Sequence, residues 1–153
     1  MYLFLSHDES IHTYSNNTPH KFIVNLFQTL DMRDGTYEVG MTECHVICEK
    51  TANAQVLINC NLVDTSHVFG RRMPTLRHLY LESPPSSSSA TTGVSHTSHH
   101  FTFDRVYYHP VIKGDFKDLS FDIESVRDRA TPSINILSKI KAFNCTIHIR
   151  KKK

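Results

Sequence analysis

The chain is short of the residues that build several kinds of site. Five glycines in 153 residues leave little material for a phosphate-cradling loop, and the chain has no such loop, no G-x-S-x-G and no H-E-x-x-H. It has no run of about 18 apolar residues, so no membrane-spanning helix is predicted. The four cysteines, Cys44, Cys48, Cys60 and Cys145, include no C-x-x-C pair, and the chain is too long for a small disulfide scaffold. Cys60 and Cys145 fall in apolar alternations, where a thiol serves as a small core residue. Reduced thiols are expected.

A strong charge of one sign is also missing. Seventeen basic and fifteen acidic side chains give +2, and Arg150, Lys151, Lys152 and Lys153 supply four of the positive charges, so the body carries −2. A nearly neutral body lacks the spread-out positive surface of a dedicated nucleic-acid reader. The opening "MYLFLS" has no basic lead and runs at once into "HDES", so it reads as a first strand and not a secretory signal. The glycosylation sequons at Asn16 and Asn144 then read as chance matches.

What the chain does have is strand signals. In "YSNNTPHKFIVNLF", Asn16, Asn17 and Thr18 favour a turn, and Pro19 holds Thr18 extended. Phe22, Val24 and Leu26 then alternate with Ile23 and Asn25, the period of a strand with one face buried. Tyr37, Val39 and Met41 share a face after a turn at Asp34-Gly35. Val56, Ile58, Cys60 and Leu62 repeat the pattern, as do Leu119, Phe121 and Ile123, and then Phe143, Cys145, Ile147 and Ile149. "TLRHLYLES" is apolar enough for a further strand, and "HFTFDRVYYHPVI" is expected to hold two short ones broken near Pro110. "SINILSKIKAF" is the best helix candidate. Eight or nine strands without intervening helices predict one all-β domain over 1–153, a sandwich or barrel. The uneven connections favour a single jelly roll of two packed antiparallel sheets, about four strands each. Glu82–His100, rich in Ser, Thr and His, is expected to be a flexible surface loop, and 150–153 a solvated basic tail.

Candidate chemistry is sparse. His96, His99 and His100 form an H-x-x-H-H cluster, but no Cys and no carboxylate before Asp104 accompanies it, and the H-x-H plus Glu of a cupin-type metalloenzyme is missing. The histidines are therefore expected to be solvated loop residues, with no metal and no cofactor. Cys44 and His45 cannot pair as nucleophile and base, because neighbours on a strand face opposite ways. No catalytic residue is assigned. Tyr107 and Tyr108, before His109-Pro110, are candidate packing or interface residues.

The order of the pieces resembles the penton (vertex) proteins of Maverick/Polinton elements and of their adintovirus and adomavirus relatives. The matching pieces are "YLFLSHDES", "YSNNTPHKFIVNL" and "LDMRDGTYEVGMTE", the last similar to the family's aromatic-Glu-Val-Gly/Ala-Leu-x-Glu strand. "VLINCNLVDTSHVFGRRMPTLRHLYLES" follows, then "VYYHPVIKGDFKDLSFDIESVRD" and "CTIHIRKKK". The likeness is collinear over most of the chain and leaves only Glu82–His100 unmatched. It implies a non-enzymatic single jelly roll, five copies of which fill a vertex of an icosahedral double-stranded DNA virus or virus-like element. The implied partners are further copies of itself, a double jelly-roll major capsid protein and, non-specifically, packaged DNA. The implied location is the virion, after assembly inside the host cell in the nucleus. Phe69, Arg71, Arg72, Tyr107 and Tyr108 are then the expected subunit contacts, and Arg150, Lys151, Lys152 and Lys153 a genome-facing tail. The competing reading is a lectin-like or cytokine-like β-sandwich binding module.

Overall fold

The computed structural model describes residues 1–49, 53–82, 96–126 and 136–152. The apolar opening forms β1 (Tyr2–Ser6), and Ser6 caps a single helical turn, α1 (His7–Ser10), its Oγ accepting from the Glu9 N–H at 3.4 Å. Asp8 and Glu9 sit in that first turn, where the unsatisfied N–H groups favour negative charge. The polar turn that follows guards an edge. Asn17 donates from its amide to Ile23 O at 2.9 Å and accepts from Ile23 N at 3.0 Å. A side chain thus stands in for a neighbouring strand on the open side of β2 (Lys21–Asp31), blunting an edge that would otherwise invite pairing.

The remaining strands are β3 (Tyr37–Glu49), β4 (Ala54–Cys60), β5 (Ser66–Val68), β6 (Arg71–Met73), β7 (Thr75–Leu81), β8 (His96–Thr102), β9 (His109–Pro110), β10 (Asp115–Ser125) and β11 (Ile140–Lys151). One sheet runs β1-β11-β3-β8, with β9 also on β3; the second runs β2-β10-β4-β7, and β5-β6 is a separate hairpin. The pairings are antiparallel. Numbering only the eight strands of the two four-strand paths in chain order gives 1-8-3-6 over 2-7-4-5. The chain changes sheet at every connection except that between β4 and β7. This is the double Greek key of a jelly roll.

The expected alternations fill the space between the sheets. Phe22 and Phe121 stack with centroids 5.2 Å apart, and Phe143 meets Phe22 at 5.8 Å, tying β2, β10 and β11 together. Val56, Ile58 and Cys60, then Leu119, Phe121 and Ile123, are buried as their spacing requires. In β3 the period shifts midway. Met41 pairs with Ile147 and Glu43 with Thr146, leaving Thr42 as an extra residue. Tyr37, Val39 and Met41 therefore hand the core over to Cys44, Val46 and Cys48, the effect expected of a β-bulge. All four cysteines are buried, and none forms a disulfide among the described residues. Burial pushes the Cys44 and Cys60 thiols up to about 12 and raises Cys145 as well, which removes the reactive thiolate at neutral pH.

Four expectations are corrected. The expected loop Glu82–His100 ends early, since His96–Thr102 is β8 and pairs with Glu43–Glu49 of β3; residues 83–95 lie outside the described residues. The break in "HFTFDRVYYHPVI" falls at 103–108, and Pro110 lies inside β9. The helix candidate shrinks to one turn, α2 (Ile136–Lys139), before β11 begins at Ile140. The basic residues Arg150 and Lys151 finish β11 opposite Glu38 and Tyr37, and so do not form a free tail. Arg150 bonds Glu38 Oε2 at 3.1 and 3.2 Å, and Lys152 N donates to Thr36 O at 2.7 Å. Lys153 lies outside the described residues.

Candidate interaction cleft on the β7/β8 flank

β7 and β8 are the outer strands of the two sheets on one side of the sandwich, and β1 and β2 are those on the other. On the first side β7 carries Arg77 at an inward position, paired in register with the buried Ile58. Thr75 and Leu76 precede it, with a register irregularity between Ile58 and Asn59 on the partner strand. The Arg77 guanidinium lies 3.8 Å from the Phe103 ring centroid and 4.9 Å from that of Tyr107. Phe103 continues a column of rings, Phe101 at 6.3 Å and then His99 at 6.3 Å. An arginine over aromatic faces closes the sandwich here.

The enclosure is incomplete. Nη1 of Arg77 is buried with no hydrogen-bond partner among the described residues. Desolvation lowers the Arg77 pKa, offset in part by Tyr107 and Cys44. His109, on β9, is lowered by burial, with Arg77 adding to the effect, so it is neutral at neutral pH. Beside these groups opens a cleft of about 490 Å³ with Arg77, His78, Tyr107 and His109 on its walls. No carboxylate lines it among the described residues.

The outer wall is the β5-β6 hairpin. Its two-residue loop is Phe69-Gly70, with φ of 49° and 78°, the signature of a type I′ turn. Glycine adopts that conformation freely, whereas a bulky residue is strained. Phe69 nevertheless stands 63% exposed, its ring edge-on to His78 at 6.0 Å. Strain of this kind at an exposed aromatic points to a role beyond folding. Phe69→Asn should raise stability by about 1 kcal/mol, since Asn tolerates left-handed backbone. A urea midpoint that falls would show that the Phe69–His78 contact outweighs the strain.

The inner wall depends on Gly40. A Cβ there would lie 2.8 Å from Tyr107 O and 3.3 Å from Tyr108 Cδ1, and would collide outright with Val106 Cγ1. Only glycine lets residues 106–108 lie on β3.

The structure thus places Phe69, Tyr107 and Tyr108 around one cleft. Tyr108 turns its hydroxyl away to His148 Nδ1, 2.8 Å distant, and its ring lies 3.6 Å under the Arg150 guanidinium. Arg71 is held by Glu124 at 3.2 Å, and Arg72 is exposed on the hairpin. The histidine cluster is divided by the strand it sits on. His99 joins Phe101 on the inner side, while His100 meets His45 across the outer side, with centroids 6.2 Å apart. No group of three or more His, Cys, Asp or Glu is placed to hold a metal among the described residues. Sequence reading missed Arg77, His78, His109 and Gly40. The signal for Arg77 was present, because it shares the period of two with the buried Leu79 and Leu81.

A second hollow, about 350 Å³, lies on the outer face of the first sheet between Phe4, Glu9, Glu43, His45 and His100. Comparison with known protein families, curated proteins and solved structures returns no match. The function is therefore read from the geometry and from the order of motifs along the chain.

Proposed function

We propose that this chain is a structural capsid protein, a penton, five copies of which close a vertex of an icosahedral double-stranded DNA virus or virus-like element. The observation that carries the reading is the placement of exposed apolar side chains on a jelly-roll frame. Tyr2, Phe4, Ile11, Ile23 and Phe27 are exposed on β1, the end of α1 and β2; Phe69, Tyr80 and Tyr107 are exposed on the opposite flank. A subunit in a ring needs two different sticky flanks, because each contact in a cyclic assembly of more than two copies is heterologous. Large apolar side chains exposed on both flanks suit contact surfaces. The collinear likeness to vertex proteins supplies the count of five, the double jelly-roll major capsid protein as the outer neighbour, and the virion as the location. No group in the cleft is asked to do chemistry. The basic end of β11 is a weaker candidate for packaged DNA, since Arg150 and Lys152 are engaged by Glu38 at 3.1 and 3.6 Å.

The test is a reconstruction of purified particles, or of rings of the pure protein. Five-fold density tracing this jelly roll is the expected result. Trimers, or density confined to three-fold faces, would sink the vertex assignment and leave the fold untouched.

A further inference from the structure

We infer that the Arg77 cleft is the acceptor half of a copy-to-copy contact, and that its occupant is the β1/α1 corner of the next copy, led by Asp8 and Glu9. The inference rests on the ring reading for the number of copies, but the contact itself is argued from charge and position.

The acceptor is cationic and lacks a counterion. Arg77 has a buried, unpartnered Nη1 and no ion pair among the described residues. Leaving a buried donor unmade is costly, and a charged one more so. A carboxylate arriving from outside would supply both the acceptor and the countercharge, in the planar geometry that guanidinium favours. Tyr107 and Phe69, exposed at the cleft mouth, would then cover apolar groups flanking that carboxylate.

The donor half has that composition. α1 presents Asp8 and Glu9 to solvent, and its C-cap Ile11 is 41% exposed. Phe4, on β1 just before them, is 80% exposed. The acids are not consumed internally: Asp8 meets only the His7 ring at 3.0 Å, and the Glu9 carboxylate has no ion pair among the described residues. Lys21, exposed at the start of β2, is the nearest counterexample on that flank in sequence, and it follows the turn that Asn17 closes. Donor and acceptor lie on opposite flanks, so the corner cannot fill its own chain's cleft. It can fill a neighbour's, and repetition of that step gives a ring or a filament.

Cysteine cross-linking tests this, because all four native thiols are buried. In a chain carrying His12→Cys, exposed just past Ile11 and not among the groups assigned to the contact, with His78→Cys, mild oxidation of concentrated protein should give a ladder ending at a closed five-copy species. Each single variant should stay monomeric under the same oxidation. Arg77→Met, which keeps the bulk and drops the charge, should cut the ladder about tenfold while circular dichroism stays unchanged. Dimers from either single variant would mean like-to-like pairing and would overturn the contact. A double variant that gives no ladder would also overturn it, and the vertex reading would still be judged by the particle reconstruction. A ladder that closes at another number would keep the contact and overturn the count of five.

Discussion

Phe121→Ala is expected to destabilise the protein by about 3–5 kcal/mol, the usual loss for truncating a buried aromatic. Phe121 is almost wholly enclosed and stacks on Phe22 at 5.2 Å with an interplanar angle of 13°. Phe22 in turn reaches Phe143 on the other sheet, so the ring removed belongs to the cluster that joins the two layers. The strands around it are held in their ladders and cannot collapse into the void. Against a total stability of about 5–15 kcal/mol for a domain, the loss is a large fraction. Urea unfolding should show the midpoint falling with the slope unchanged. A shift worth under about 1 kcal/mol would mean that the layers are joined elsewhere.

Gly40→Ala should cost about 1–3 kcal/mol by overpacking, and its signature should be local. The backbone at Gly40 is open to any residue, so the expected penalty comes from space alone. The methyl would strike Val106 Cγ1 and crowd Tyr107 O at 2.8 Å. Residues 106–108 must then lift off β3, which moves Tyr107 away from Arg77 and opens the inner wall of the cleft. Gly70 provides the contrast. Its added Cβ would meet nothing within 4 Å, so the cost of Gly70→Ala would come only from its φ of 78°. Amide shifts should move across residues 103–109 in Gly40→Ala and stay confined to the hairpin in Gly70→Ala. Equal, global destabilisation by both would contradict this account of the cleft.

The strands whose two faces differ most were legible before any coordinates. In β10 and β11 one face is apolar and the other polar, so the period of two announces the strand and its inward side together. The first half of β8 was hidden for the opposite reason. His96, Ser98 and His100 face outward and Thr97 and His99 are only half-buried, so composition resembles a mobile loop while the backbone is fixed by β3. The bulge at Thr42 was hidden because it changes the phase of a strand without changing its residue types. Of the expected contact residues, Phe69, Tyr107 and Tyr108 converge on one cleft. The ion pairs that hold Arg71, expected at a subunit contact, and Arg150, expected in a solvated tail, were not legible because their partners, Glu124 and Glu38, are 53 and 112 residues distant in sequence. No local pattern carries such a pairing.

The place of β11 sets a condition on when the molecule can exist during synthesis. Among the described residues β1 pairs with β11 alone, with Tyr2 opposite His148 and Ser6 opposite Asn144. β11 also supplies the partner that separates β1 from β3. β1 therefore waits for β11, and pairing over such a separation is slow because loop closure precedes any gain. A nascent chain lacking Ile140–Lys151 has no finished first sheet to hold the α1 corner in place. Chains truncated before Ile140 thus lack the ordered corner that the proposed contact uses, and a copy can join such a ring only after β11 has paired with β1.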